Sequence, residues 1–234
     1  MLLEVIALTP EDAAIAAAHG ADRVEFVSAM EEGGLTPAVA DVEEAAAIAA
    51  IPVHAMIRPH SRSFDYDEAD MARMIRDMRA LRLAGAAAFV LGTLTPARTV
   101  DEEKLKRLLD AADGLPVTFH RAFDETRDLE EAYETLARYP LIRAVLTSGG
   151  MPSVLEAGRE IARLVRLAGA AGPAVMAGSG LTPETAAGFA RETGVRAVHF
   201  GSGVRRGGRQ AEPLDPARLR AVRAALDGQA DAGR

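Results

Sequence analysis

Short apolar runs recur along the chain between longer segments whose apolar positions return every three or four residues. The runs are LLEVIA (2–7), DRVEFV (22–27), VHAMIR (53–58), AAFVLG (87–92), PVTFHR (116–121), RAVLTS (143–148), AVMAG (174–178) and AVHFG (197–201). They have the length of strands buried on both faces. The intervening segments, among them PEDAAIAAAHG, YDEADMARMIRDMRALRLAG and DLEEAYETLARY, have helical spacing, and many open on Ser, Thr, Asp or Pro. Eight strand-then-helix units in 234 residues predict an α/β chain folded as one (β/α)8 TIM barrel over residues 1–226, with the small, polar DGQADAGR (227–234) as a disordered tail. The rival is an open doubly wound sheet, which places ligands at a switch point between strands; eight units favour closure. The weakest helical segments are the alanine-rich GGLTPAVADVEEAAAIAA and the final DPARLRAVRAALDG.

In such a barrel the chemistry gathers at the C-terminal ends of the strands, and alternate strand residues point inward. If Val117 and Phe119 face the helices, Thr118 and His120 face in. The same parity sends Glu4, Glu25, His54, Arg58 and His199 inward. Two buried carboxylates are costly unless neutralised or hydrogen-bonded, so Glu4 and Glu25 need partners, for which Arg58 and Arg121 are the candidates. Carboxylates from neighbouring strands also form a coupled pair with one raised pKa, a way to hold an acid beside a base. His120 ends its strand next to Arg121, and Asp124 is placed to hydrogen-bond either one. The candidate catalytic set is therefore Glu4, Glu25, Arg58, His120, Arg121 and Asp124. A structural polar network filling the barrel is the alternative. Asp128 reads as the N-cap of LEEAYETLARY, with Arg127 solvated.

Glycine-rich turns follow the last three runs: TSGGMPS (147–153), AGSGLTPET (177–185) and FGSGVRRGGR (200–209). Loops after strands seven and eight of barrels often bind phosphate, because glycine lets backbone N–H groups face an anion. Ser148, Gly149, Gly178, Ser179, Gly180, Gly201, Ser202 and Gly203, with His199, are the candidate anion-binding residues. Tight turning alone is the other reading of these glycines. The long polar loop RPHSRSFDYDE (58–68), with Arg58, His60, Arg62 and Asp65, reads equally as a cover over a ligand and as a solvated connection.

Composition narrows the chemistry. The chain has no cysteine, which removes disulfides, thiolate metal sites and a cysteine nucleophile. The net charge is −7 with no basic cluster, so nucleic acid is not an expected partner. No apolar run is long enough to span a membrane and no signal peptide is seen, which leads us to expect a cytoplasmic protein. No organic cofactor motif is found. None of the histidine pairs has the helical i, i+4 spacing of a zinc site, although His54, His60, His120 and His199 could converge with Glu4 or Glu25 on a harder metal. For Cu(I), which prefers sulfur, Met30, Met56, Met151 and Met176 lie near strand ends or in the loops beyond them; methionine is more often core filler.

LEV (3–5), ADRVE with SAMEEGGLTP (21–37), MIRP (56–59), PVTFHRAFD (116–124), LTSGG (146–150) and GSG (178–180) together resemble the CutC family, over Leu3 to about Gly203. The resemblance implies a cytoplasmic (β/α)8 barrel, a homodimer or larger homo-oligomer, and a link by name to copper homeostasis. Glu4, Glu25, Arg58, His120, Arg121, Asp124 and Ser148 match its pattern. Ile6 and Val27 stand where the resemblance leads one to expect thiols, so thiol-based copper binding is not carried over. Three functions follow as expectations: copper binding or tolerance, by family name; proton-transfer catalysis, of isomerase or lyase type, on a small anionic or phosphorylated metabolite; or a non-catalytic ligand-binding scaffold. A small anion or a metal ion is the expected partner.

Overall fold

A computed structural model describes residues 1–231. Its eight strands are β1 (Leu2–Ala7), β2 (Arg23–Phe26), β3 (Val53–Met56), β4 (Ala88–Leu91), β5 (Val117–Phe119), β6 (Ile142–Thr147), β7 (Ala174–Ala177) and β8 (Ala197–Phe200). All pair in parallel with their sequence neighbours, and β8 returns to β1 to close the barrel. The expected (β/α)8 barrel is therefore the observed fold.

The eight helices are α1 (Pro10–Ala18), α2 (Val39–Ile48), α3 (Glu68–Leu83), α4 (Glu102–Ala112), α5 (Leu129–Ala137), α6 (Gly158–Ala168), α7 (Ala186–Thr193) and α8 (Pro216–Asp231). Several begin where short polar side chains satisfy the free N–H groups of a first turn. Thr9 caps α1 just before Pro10, Asp67 and Asp70 form a reciprocal capping box on α3, and Asp128 accepts from the Glu130 and Glu131 N–H groups of α5. Arg127 lies on the surface, paired with Glu131. The alanine-rich α2 is held by burial of Val42 and Ala45. Helix α8 takes in the start of the segment expected as a tail; 232–234 lie outside the described residues. Among the described residues no helix is long and apolar enough to cross a membrane.

The strand residues of outward parity, such as Leu3, Val5, Phe26, Phe89, Phe119 and Val198, join the helices in one large core. The barrel interior is divided differently. One small apolar cluster contains Ile6, Val27, Met56 and Val90, and a second contains Leu146, Met176 and Ala197. Between these positions along the same strands the inward residues are charged or polar: Glu4 on β1, Arg23 and Glu25 on β2, His54 on β3, Thr118 on β5 and His199 on β8. A barrel centre filled this way needs internal pairing, and the strand register supplies it. Glu4 lies opposite Arg23 on one side and His199 on the other, and Glu25 lies opposite His54.

Candidate functional site

The strands position a linear chain of polar groups that ends at a cavity. Arg23 Nε donates to Glu4 Oε2 at 2.6 Å, and His199 Nδ1 meets Glu4 Oε1 at 2.8 Å. His199 Nε2 then faces Glu25 Oε2 at 3.8 Å, a charge contact too long for a direct hydrogen bond. Glu25 Oε1 is buried with no partner among the described residues.

The two carboxylates are driven apart in acidity. Burial is the largest single effect on Glu4 and raises it, but the Arg23 cation, the His199 hydrogen bond and the charges of His199 and His54 together outweigh it and carry its pKa down to about 2. Glu25 has burial dominant; the Glu4 charge adds to it, His199 and Arg23 oppose it, and its pKa rises to about 7. His199 is lowered by burial, yet the carboxylates of Glu25 and Glu4 overcome this and its pKa is raised. Glu4 therefore serves as a permanent anion that orients His199, and the proton that moves near neutral pH belongs to the Glu25–His199 pair. Arg58 and Arg121, the partners the sequence suggested, pair with neither Glu4 nor Glu25; Glu4 is neutralised by Arg23, one inward step before Glu25 on the same strand.

The cavity above Glu25 has a volume of about 250 Å³, below the roughly 300–1,000 Å³ common for drug-sized ligands, so it suits a small molecule. Its wall includes Arg58, Phe64, His120, Arg121, Ser179, Gly180, Leu181, His199, Gly201, Ser202, Gly203 and Gln210, with Met30 and Met56 on the apolar side. His120 is 4% exposed and its ring packs against Phe64 at 5.0 Å between centroids. Burial and the nearby Arg58 charge hold its pKa down at about 3, so the ring is neutral. Nδ1 accepts from the Ala122 N–H at 3.1 Å, which assigns the ring proton to Nε2; that N–H is buried and, among the described residues, unpartnered. Gly92 allows this placement, since a Cβ there would stand 2.7 Å from the imidazole.

Arg58 crosses the Phe64 ring at 4.7 Å and its Nη1 bonds the carbonyls of Glu32, Gly33 and Gly34, so it also pins the loop after β2. Arg121 is fixed by Asp124 through Nε (2.8 Å) and by Ser148 Oγ through Nη2 (2.9 Å). Asp124 itself is a hub. Its carboxylate accepts from Arg121, Thr147 Oγ1, Ser148 N and Oγ, and Gly150 N. The β6 glycine turn therefore already holds an anion, the protein's own Asp124, and Gly149 N–H is taken by Thr147 Oγ1. Ser148 and Gly149 belong to this brace and do not line the cavity. Gly178 is a packing glycine, because a Cβ would meet Leu146 at 2.7 Å.

Of the loop 58–68, Arg58 and Phe64 reach the cavity. His60 pairs with Asp70 at 3.0 Å, Asp65 binds Lys104 at 2.8 Å, and Arg62 is exposed. Sequence reasoning missed Arg23, Phe64, Leu181 and Gln210. Arg23 shares the inward parity of Glu25, a signal that could have found it; the other three come from loops without periodicity.

The family model for the CutC family matches residues 1–204, most of the chain and all eight strands. The chain belongs to the CutC family. It is similar to a family protein CutC of Caulobacter vibrioides, 43% identical over 199 residues that cover 85% of this chain and 80% of the relative. A family protein CutC of Sinorhizobium medicae is 38% identical over 97% of this chain and 96% of its own. A crystal structure described as a copper homeostasis protein CutC, from Streptococcus agalactiae, superposes with a TM-score of 0.80 at 30% identity, covering 85% of this chain and 97% of that one.

The residues present do not fit Cu(I). No cysteine exists. Met30 and Met56 pack with Ile6, Val27 and Val90, whereas Met176 lies in the separate lower cluster with its sulfur 3.5 Å from Arg23 Nη2, a cationic neighbour hostile to a bound metal ion. Met151 is exposed on the β6 loop. Among the described residues, Glu4, Glu25 and His199 bring one donor each within 4.8 Å of one another. That oxygen–nitrogen set suits a borderline divalent ion better than Cu(I), although both Glu4 oxygens are already bonded.

Proposed function

We propose that this CutC-family barrel is a small-molecule enzyme of proton-transfer type, an isomerase or lyase, acting on an anion held in the barrel mouth. Its part in copper homeostasis, the role named for the S. agalactiae relative, is then exercised through that chemistry and not through a sulfur-ligated copper ion. The observation that carries this reading is Glu25: 3% exposed, one oxygen unpartnered, facing the cavity, with its pKa brought to about 7. A general acid–base works best when its pKa is close to the operating pH, and burying a carboxylate in this state is costly enough to call for a use.

The roles follow from the geometry. The ionised Glu25 takes a proton from a carbon beside a carbonyl, and the same carboxylic acid returns it to the neighbouring carbon or to a leaving group, so the proton count balances. His120 Nε2–H donates to the carbonyl oxygen as charge collects there. Glu4 fixes His199, which tunes Glu25. Arg121 and Arg58 supply positive potential for the anion. A Schiff base is not available, because the chain's two lysines, Lys104 and Lys106, are both on α4.

The test is exchange of carbon-bound hydrogen in D2O, followed by proton NMR, on a panel of hydroxyketone phosphates and α-keto acids first selected by thermal stabilisation of the protein. Wild type is expected to exchange at least one, Glu25→Gln to lose exchange by 10²-fold or more, and binding to persist in the variant. Ligands that bind without exchange in wild type point to the scaffold reading.

A further inference from the structure

We infer that the loops after β7 and β8 form a recognition site for a phosphate group, built from backbone N–H donors on the rim of the cavity. The inference rests on the proposed reading of that cavity as a small-anion site and names the anion. Among the described residues, the N–H groups of Ser179, Gly180, Leu181 and Gly201 have no acceptor, and all four residues line the same cavity. The contrast with the β6 turn is informative: there the corresponding N–H groups of Ser148 and Gly150 are satisfied by the Asp124 carboxylate. One of the three glycine turns is filled by an internal anion, whereas these N–H groups of the other two, on residues that line the cavity, are without an acceptor among the described residues.

One side chain makes the same demand. Gln210 lines the cavity beside Gly201, and among the described residues its buried amide Nε2 has no partner. The His120 Nε2–H on the same wall stays free for the substrate carbonyl. Each unmet donor costs free energy unless an acceptor or water meets it. Donors from two loops and a side chain on one cavity wall match a tetrahedral oxyanion, which offers several acceptor oxygens, better than a planar carboxylate.

The steric record of the loops agrees with a backbone-lined surface. A Cβ on Gly180 would strike Ser153 Oγ, and one on Gly203 would strike the Leu181 carbonyl. Gly201 is also a glycine by backbone: at φ −104° and ψ −104° it lies outside the regions that a residue with a Cβ favours, and a Cβ there would meet the ends of the Ile6 and Gln210 side chains at 3.1 and 3.3 Å. Gly201→Ala therefore perturbs the donor surface and strains the loop, which is why Gln210→Leu stands beside it in the test.

The experiment is a ¹H–¹⁵N titration of the full chain with inorganic phosphate, glycerol phosphate and, for comparison, acetate and malonate. The expected result is saturable movement of the Ser179, Gly180, Leu181 and Gly201 amide resonances with both phosphates, at least tenfold weaker response to the carboxylates, and at least tenfold weaker phosphate affinity in Gly201→Ala. Tighter binding of glycerol phosphate than of inorganic phosphate identifies a phosphorylated metabolite as the source; equal binding identifies the free ion. Glu25→Gln is expected to keep the phosphate response within about threefold, so loss of exchange with retained phosphate binding separates the two readings. Movement confined to the Arg58 and Arg121 side-chain signals, or equal response to carboxylates, overturns the phosphate assignment while leaving proton transfer standing. If Gly201→Ala fails to fold, Gln210→Leu serves in its place, and the wild-type titration decides by itself: four unmoved amides at saturating phosphate end the proposal.

Discussion

Glu25 shows how one residue's environment becomes measurable in the whole protein. Its pKa is raised from an ordinary carboxylate value to about 7 in the folded state, so between roughly pH 4.5 and 7 the native protein binds more protons than the unfolded chain. Stability must fall as pH rises through that window. His199, also raised, acts in the same direction, because its proton too is held more tightly in the fold. The Glu25 shift alone corresponds to about 3 kcal/mol. Glu4 has the opposite sign: depressed to about 2, its contribution is present at neutral pH and lost only in strong acid. We expect urea unfolding to show wild type less stable at pH 9 than at pH 5.5 by about 2–3 kcal/mol, and Glu25→Gln to remove most of that slope. An unchanged slope in the variant would place the titrating proton elsewhere. Removing Arg23 tests the other end of the chain of groups: Arg23→Met leaves the Glu4 anion without its cation in the barrel centre, and a loss of about 3–5 kcal/mol in the same assay is the expected outcome.

At the scale of strands, helices and loops, most of the arrangement is legible in the sequence. Each apolar run became a strand within two residues of its ends, because strand length and glycine boundaries leave little freedom once the repeat is recognised. Period-two parity placed Glu4, Glu25, His54, His120 and His199 inside correctly. What parity does not contain is register: which inward charge neutralises which carboxylate depends on how β1 sits against β2 and β8, and that relation put Arg23 beside Glu4. Loop residues were beyond reach for a related reason. Phe64 and Gln210 arrive at the cavity by irregular paths, and Arg205, just after β8, is a buried cation bound to Asp12 of α1 at 2.8 Å across the barrel seam. Asp124 was legible as an important residue but not in its role. It joins the turn after β5 to the turn after β6, so Asp124→Ala strands the acceptor-seeking groups of Thr147, Ser148 and Gly150 and frees Arg121. Its expected cost is about 2–4 kcal/mol in urea unfolding, together with weakened anion binding; a change under about 1 kcal/mol would show that water replaces the carboxylate without loss.

The copper question belongs to the whole molecule, because it turns on how sulfur is distributed across it. Cu(I) requires two or three soft donors converging within bonding distance, and a chain without cysteine has only thioethers to offer. Here they are dispersed by the architecture. Met71, Met74 and Met78 line the buried face of α3 in the outer core, Met30 and Met56 pack in one interior cluster, and Met176 lies in the other beside a guanidinium. Each is accounted for as packing, and bringing Met176 to Met56 would mean crossing the layer of Glu4, Arg23 and Glu25 on which the barrel centre depends. Anaerobic competition against a chromogenic Cu(I) chelator should therefore show no stoichiometric uptake by wild type, and a Met30→Ala/Met56→Ala/Met176→Ala variant should behave identically. Tight one-to-one uptake that disappears in the variant would mean that the interior rearranges around the ion, and the family's copper role would then be direct. Absence of uptake, with phosphate-dependent amide shifts intact, would leave the proposed anion site above Glu25, and not a sulfur-bound copper ion, as the centre of this chain's chemistry.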